Sequence, residues 1–180
     1  MNQIKLLETI KDKLSNSEKI LTISIDGRAG AGKTTLAKLI AENFSGAQII
    51  HMDDLYRGWE LTLGPTLTRE LLSIFEQLRD GNEAAYSKFD WEQNKLGEVV
   101  KISSPKMLVL EGVGSGQSSI SDYVDMKIWV EIDTQIGLER VLSRDGFEIS
   151  SQMELFILEQ ERHFTDEETK ERSDFHIAGN

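Results

Sequence analysis

Cysteine is absent from the 180 residues. That excludes disulfide scaffolds, thiolate zinc sites and cysteine nucleophiles. A chain without disulfides fits a reducing compartment. Positive charge is in deficit, with 20 Lys and Arg against 31 Asp and Glu, a formal net charge of -11. This balance argues against binding along a nucleic-acid backbone, which needs a basic surface. It leaves room for a small phosphorylated ligand held by a few local donors. Long hydrophobic runs are missing too. No apolar stretch approaches the roughly 18 residues of a membrane span. The N-terminal segment, with Glu8 and Asp12 among its lysines, lacks the apolar core of a signal peptide. The expectation is a cytoplasmic protein with neither membrane nor nucleic acid as partner. What remains is an ordinary globular balance of 39% hydrophobic and 28% charged residues, long enough to bury a sizeable core as one domain over residues 1–180.

Helical spacing of Ile4, Leu6, Leu7, Ile10 and Leu14 predicts an amphipathic helix over residues 1–14. Short, apolar, β-branched runs predict buried strands at residues 20–25, 49–52, 107–110 and 126–132, with a short last strand at 175–178. Helices are predicted at 34–44, at 66–79 behind Pro65, at 134–144 and at 151–163, with Asp80-Gly81-Asn82 stopping the second. Residues 83–106 read as polar and irregular. Strands alternating with helices imply a parallel sheet covered on both faces.

Gly27-Arg28-Ala29-Gly30-Ala31-Gly32-Lys33-Thr34 fits the pattern G-x-x-x-x-G-K-[ST]. Chance supplies roughly one such match in 150 chains of this size at ordinary composition, and here a strand precedes the loop and a helix follows. The glycines let the backbone turn tightly and bring successive N–H groups onto phosphate oxygens. The helix behind them points its positive end at the same anion. On this reading Gly27, Ala29, Gly30, Ala31, Gly32, Lys33, Thr34 and Thr35 form the nucleotide site. Lys33 supplies a mobile charge for the terminal phosphates. Thr34 offers a hydroxyl to magnesium, which otherwise keeps several waters.

Ligands of open α/β sheets bind outside the carboxyl ends of the strands. Asp53, Asp54 and Glu111 fall there. Phosphoryl transfer needs one carboxylate to orient the acceptor hydroxyl and another acidic group on the magnesium side. Asp53 is the candidate for the first role and Glu111 for the second. Asp54 is either a second site group or a local cap. Arg140 and Arg144 share a helix face. They either clamp the transferring phosphoryl group or lie on a solvated face with Glu139 and Asp145. Tyr56, Trp59, Tyr86, Phe89 and Trp91 either sandwich a flat ligand or pack beneath loops. His51, His163 and His176 lack metal-ligand spacing, and His51 reads as structural. The run Asp166-Glu167-Glu168 reads as a solvated face.

These residues resemble the uridine kinase-like branch of the P-loop nucleoside and nucleotide kinases over most of the chain, about Ile20 to Ala178. The anchors are Ile25-Asp26-Gly27 with the phosphate loop, Asp53-Asp54-Leu55-Tyr56, Leu108-Val109-Leu110-Glu111-Gly112, and Arg140-Val141-Leu142-Ser143-Arg144-Asp145. The resemblance implies a five-stranded parallel sheet with helices on both faces and a short helical lid at about 140–150. It implies ATP and magnesium, and a small-molecule acceptor. It gives Asp53 the base position, Glu111 the magnesium side and Arg144 a lid position near the phosphates. Tyr56 would face the acceptor. Phe89-Asp90-Trp91 is similar in shape to the family's aromatic-Asp-Phe segment, which brings Asp90 and Trp91 to the acceptor. Asn94 stands where the family has a histidine that helps to read the pyrimidine, and the substrate-side hairpin is expected to be reduced.

The resulting expectation is a kinase moving the γ-phosphoryl group of ATP to a hydroxyl acceptor, a nucleoside first. Lys33, Asp53 and Arg144 would be catalytic, with Asp53, Tyr56, Asp90, Trp91 and Arg140 around the acceptor. The alternatives are a nucleoside monophosphate kinase, with Arg57, Arg69 or Arg79 for the acceptor phosphate, and a nucleotide-binding regulatory ATPase module. The Gly112–Ser119 loop would either offer donors to an acceptor or be a mobile connection.

Overall fold

The computed structural model describes residues 3–60, 62–79, 82–103 and 105–179. Among them the elements run α1 (Gln3–Ser15), β1 (Leu21–Asp26), α2 (Lys33–Asn43), β2 (Ala47–His51), α3 (Met52–Leu55), α4 (Pro65–Arg79), β3 (Ala84–Asp90), β4 (Lys95–Ile102), β5 (Met107–Glu111), β6 (Met126–Glu131), α5 (Thr134–Asp145), α6 (Ser150–Glu167) and β7 (Phe175–Ala178). Five strands form a parallel sheet in the order β2-β5-β1-β6-β7. No described helix is long and apolar enough to cross a membrane. Of the expected stop after α4, Asp80 and Gly81 lie outside the described residues.

Alternation along the strands splits the core into two layers. Leu21, Ile23 and Ile25 of β1, with Met107 and Val109 of β5, face α1 and α2, where they meet Leu6, Ile10, Leu36 and Ile40. Leu108 and Leu110 of β5 and Trp129 of β6 face the other way, toward α4, α5 and α6 through Leu71, Val141 and Phe156. The other face of β1 is polar yet buried, with Thr22, Ser24 and Asp26 in its alternate positions. A central strand that keeps a carboxylate at its inner end carries something other than packing.

β2 and β5 lie on one side of β1, and β6 and β7 on the other. The chain changes sides at β1, and the glycine loop leaves β1 at this switch point, where open sheets form their ligand crevice. Asp53 and Asp54, read as a strand end, open the one-turn helix α3 instead. The segment 140–150 comprises the end of α5, Gly146, a 3-10 turn Phe147–Ile149 and the first residue of α6.

One expectation is corrected. Residues 83–106 are not irregular: β3 and β4 pair antiparallel as a hairpin. The register shifts between Ser87 and Phe89, so the alternation of buried residues in β3 breaks phase. β4 exposes all its residues but Val100 and Ile102, which leaves no hydrophobic pattern to read. Asn94 occupies the hairpin turn with φ of 48°, a left-handed position that asparagine tolerates better than most side chains.

Candidate active site

The phosphate loop, α3, the end of β5, α5 and α6 enclose a cavity of about 590 Å³. Ala29, Gly30, Ala31, Gly32, Lys33, Thr34 and Thr35 line it, together with Asp53, Tyr56, Trp91, Glu111, Arg140 and Arg144. Of the residues expected to hold nucleotide, magnesium or acceptor, Gly27 and Asp90 are not on its wall. Gly27 lies behind the loop. Asp90 spends its carboxylate on the Gln93 amide in the hairpin turn, at 2.8 Å.

The loop is built from behind. Asp26, 1% exposed, accepts backbone N–H bonds from Gly27 at 2.7 Å, Gly114 at 3.1 Å and Gly116 at 2.8 Å. The glycine- and serine-rich segment after β5 is therefore neither a free connection nor an acceptor cradle at these positions, because its amides are spent on Asp26. Burial pushes the Asp26 carboxyl above its ordinary range, while these amides and Lys33 pull it back. From the side, α6 grips the loop. Gln160 Oε1 accepts the Ala29 N–H at 3.0 Å, and Glu161 takes the Arg28 guanidinium through two bonds of 2.7 and 2.9 Å. Glu131 of β6 takes the third Arg28 bond at 2.9 Å.

Gly30 holds φ of 77°, and a Cβ there would lie 2.2 Å from the Gly137 carbonyl oxygen. A Cβ on Gly137 would lie 2.4 Å from the Ala29 carbonyl oxygen. Two glycines thus let the backbone of α5 rest directly on the backbone of the loop. α2 begins at Gly32 with no side chain bonded across its N-terminus, which suits an anion arriving from the cavity.

Lys33 is 7% exposed, and its Nζ donates to the carbonyls of Gly27 at 2.7 Å and Arg28 at 2.8 Å. Desolvation lowers its pKa, opposed by Asp26, Glu111 and Asp53. Thr34 Oγ1 donates to Glu111 Oε1 at 3.0 Å. Both are hard oxygen donors at the cavity wall, a fit for magnesium completed by phosphate oxygens and water. His51 is not merely structural. It lies in register with Glu111 across β2 and β5, and its Nδ1 meets the same Glu111 oxygen at 2.5 Å. That bond raises the His51 pKa against the effect of its partial burial.

The adjacent acids divide. Asp54 turns to the hairpin, bonding Lys88 Nζ at 3.1 Å and the Tyr86 hydroxyl at 3.4 Å. Asp53 opens to the cavity. Desolvation by the surrounding walls, then the Glu111 charge, raises its pKa, opposed by Lys33 and Arg144. Arg144 is held by Asp145 through two bonds of 2.6 Å, and Arg140 NH1 lies 3.5 Å from the Gly30 carbonyl oxygen. Arg57 pairs with Glu70 at 2.9 Å and Arg69 bonds Thr66 at 3.0 Å. Neither these two nor Arg79 lines the cavity. Trp59 and Phe156 do line it. Trp59 was legible only as a ring in a loop, and Phe156 only as a helix core position. In the acidic run near the C-terminus, Glu167 accepts the Ser118 N–H at 2.6 Å rather than facing only solvent.

Two family profiles match the chain. The sequence profile of the phosphoribulokinase/uridine kinase family matches residues 66–163. That of the NB-ARC domain matches residues 3–113, the part that carries the phosphate loop. The chain is 28% identical over 134 residues to a cytidylate kinase of Methanococcoides burtonii, covering 74% of this chain and 69% of that one. It is 28% identical over 149 residues to a uridine kinase of Halobacterium salinarum, covering 73% and 65%. In structure it is similar to a possible uridine kinase from Bacillus stearothermophilus, with a TM-score of 0.64 at 18% identity, over 96% of this chain and 99% of that one.

Proposed function

The chain belongs to the phosphoribulokinase/uridine kinase family, and from that premise we propose that it transfers the γ-phosphoryl group of ATP to a hydroxyl of a nucleoside-type acceptor, with Asp53 as the base. The observation that carries this reading is the convergence of Lys33, Thr34, Asp53, Glu111, Arg140 and Arg144 on one cavity. A loop that only bound and hydrolysed nucleotide would need no carboxylate at the position of Asp53 and no ring-lined space beyond it.

The roles follow from position. The loop amides and Lys33 hold the terminal phosphates. Thr34 and Glu111 would hold magnesium, which would supply neutralisation of phosphate charge. Asp53 receives the hydroxyl proton as the acceptor oxygen bonds to the terminal phosphorus and the bond from that phosphorus to the bridging oxygen breaks. ADP leaves with the bridging oxygen. Arg144 and Arg140 neutralise the developing charge from α5. The segment 140–150 serves as the lid of a single domain, closing over the cavity and excluding water.

The test is magnesium-dependent ADP release with and without nucleosides, nucleoside monophosphates, pantothenate and sugar phosphates, with Asp53→Asn beside the wild type. Stimulation by one acceptor that Asp53→Asn loses while still binding ATP supports the reading. Acceptor-independent hydrolysis, equal in both proteins, overturns it. That outcome favours a nucleotide-binding module, which the NB-ARC match over residues 3–113 favours as a second reading. That match stops short of α5 and α6 and so leaves both arginines without a role.

A further inference from the structure

α6 buries a stripe of four residues, Met153, Phe156, Gln160 and Phe164, spaced as one helix face. Three of them are apolar. Gln160 is 1% exposed, and a buried amide is costly unless it is bonded. Its Oε1 accepts the Ala29 N–H at 3.0 Å, while its Nε2 donates to Glu161 Oε1 at a longer 3.4 Å. The one polar member of the stripe is therefore spent on the backbone of the phosphate loop.

The Ala29 N–H belongs to the peptide unit between Arg28 and Ala29. The other end of that unit is the Arg28 carbonyl, which accepts Lys33 Nζ at 2.8 Å and the Ala31 N–H at 3.2 Å. A peptide unit is planar, so its N–H and C=O point in opposite directions and turn together. Gln160 holds one end of this plane and Lys33 the other. Glu161, the next residue of α6, holds the Arg28 side chain through two bonds. The neighbouring carbonyls are engaged as well: that of Gly27 accepts Lys33 Nζ at 2.7 Å, and that of Ala29 lies against Gly137.

A cradle for phosphate works while its amides face the anion and its carbonyls do not. Turning the Arg28–Ala29 plane would take the Arg28 carbonyl from Lys33 and leave the Ala29 N–H without its partner. Gln160 is not on the cavity wall, so any effect it has on a bound nucleotide passes through this plane.

We propose that Gln160 is a positioning residue for the phosphate donor, fixing the Arg28–Ala29 peptide and through it the place of Lys33 and the loop amides. This rests on the nucleotide-binding part of the reading above and needs no acceptor. The loop motif does not mark it, because Gln160 lies 131 positions from the residue it holds.

The test is titration of the wild type, Gln160→Met and Phe164→Leu with mant-ATP and magnesium, read by fluorescence, with Tm measured on each. Methionine keeps the length of the side chain and lacks the carbonyl acceptor. Phe164 lies one turn further along the same stripe and packs on Trp129 at a centroid distance of 4.7 Å, with a side chain that forms no hydrogen bond, so its variant reports on packing. Gln160→Met should weaken mant-ATP binding about 10-fold, the effect of leaving a buried N–H unsatisfied. Phe164→Leu should lower Tm and leave the affinity within about 2-fold. Wild-type affinity in Gln160→Met overturns the proposal and leaves the kinase reading standing. So does an affinity that falls in step with Tm in both variants, which marks ordinary packing. Should Gln160→Met not fold, amide exchange of the wild type decides by NMR. The Ala29 N–H should be protected about 100-fold or more, both free and with ATP bound. Free exchange in either state overturns the proposal. A wild type that binds no mant-ATP overturns this proposal and the donor site of the kinase reading together.

Discussion

The two ends of the cavity are made by opposite means. The phosphate end is one contiguous loop held almost wholly by polar bonds: three amides on Asp26, two carbonyls under Lys33, and α6 carboxylate and amide groups on Arg28 and Ala29. The acceptor end is assembled from Tyr56, Trp59, Thr62, Trp91 and Phe156, whose rings meet edge to face while their polar atoms bond to nearby backbone. A phosphate group is the same in every donor, so a backbone cradle serves it and side-chain choice is narrow. An acceptor body differs from enzyme to enzyme, so its wall is built of side chains that can change without disturbing the loop.

The largest test of this contrast lies where the two ends meet. Asp53→Asn is expected to lower kcat about 10³-fold, roughly 4 kcal/mol of transition-state stabilisation, as loss of a general base does. Because desolvation and Glu111 disfavour its charge against Lys33 and Arg144, the same change should not lower Tm at neutral pH, seen by calorimetry. Loss of activity with a fall in Tm would show a structural carboxylate instead.

Gly30→Ala comes next. Its Cβ meets backbone, not a flexible side chain, and about 3 kcal/mol of stability should be lost in urea titration. Trp59→Leu, at the other end, should leave stability within about 1 kcal/mol if the wall serves substrate more than fold. Arg28→Ala should cost about 2 kcal/mol through its bonds to Glu161 and Glu131, with the effect falling as salt rises. His51→Ala should raise the magnesium concentration for half-maximal turnover about 10-fold, as loss of a group orienting a metal ligand does.

The smallest effect is on pH. Asp26 and Asp53 bind protons more tightly folded than unfolded, so stability falls as pH rises from about 3.8 through their raised values. His51, raised by Glu111, contributes stability fully below about 6.5 and loses it as pH climbs through its folded value. Activity has the opposite slope in acid, since Asp53 must be ionised to accept a proton. Denaturant midpoints and kcat/KM measured across pH 4–8 should therefore diverge, with the stability slope at the acid end shallower in Asp53→Asn.

Sequence carried the phosphate end well and the acceptor end poorly, for the same reason that the two ends differ. The loop, β1, β5 and β6 are local patterns, so the sheet and the positions of Lys33, Thr34, Asp53 and Glu111 follow from reading along the chain. The hairpin is hidden by a register shift and by an outward-facing β4. The meeting of His51 with Glu111 depends on β2 lying next to β5, which no run of residues records. The use of Gly114 and Gly116 by Asp26 is visible only once residues 88 and 90 positions apart are brought together. Phe156 looks like any helical core position until α6 is set against Trp59 and Tyr56.

The backbone contact between the phosphate loop and α5 works as a hinge pin without a bushing. Gly137 costs its helix roughly 1 kcal/mol against alanine, and in return no side chain lies between loop and helix to absorb movement. Arg140 and Arg144 lie three and seven residues further along, on the same face of that helix. A small tilt of the loop is therefore carried outward along the helix and enlarged by leverage at each arginine in turn. Grip on the donor at one end and the reach of the arginines across the cavity become a single mechanical coordinate, set by two residues chosen for having no side chain at all.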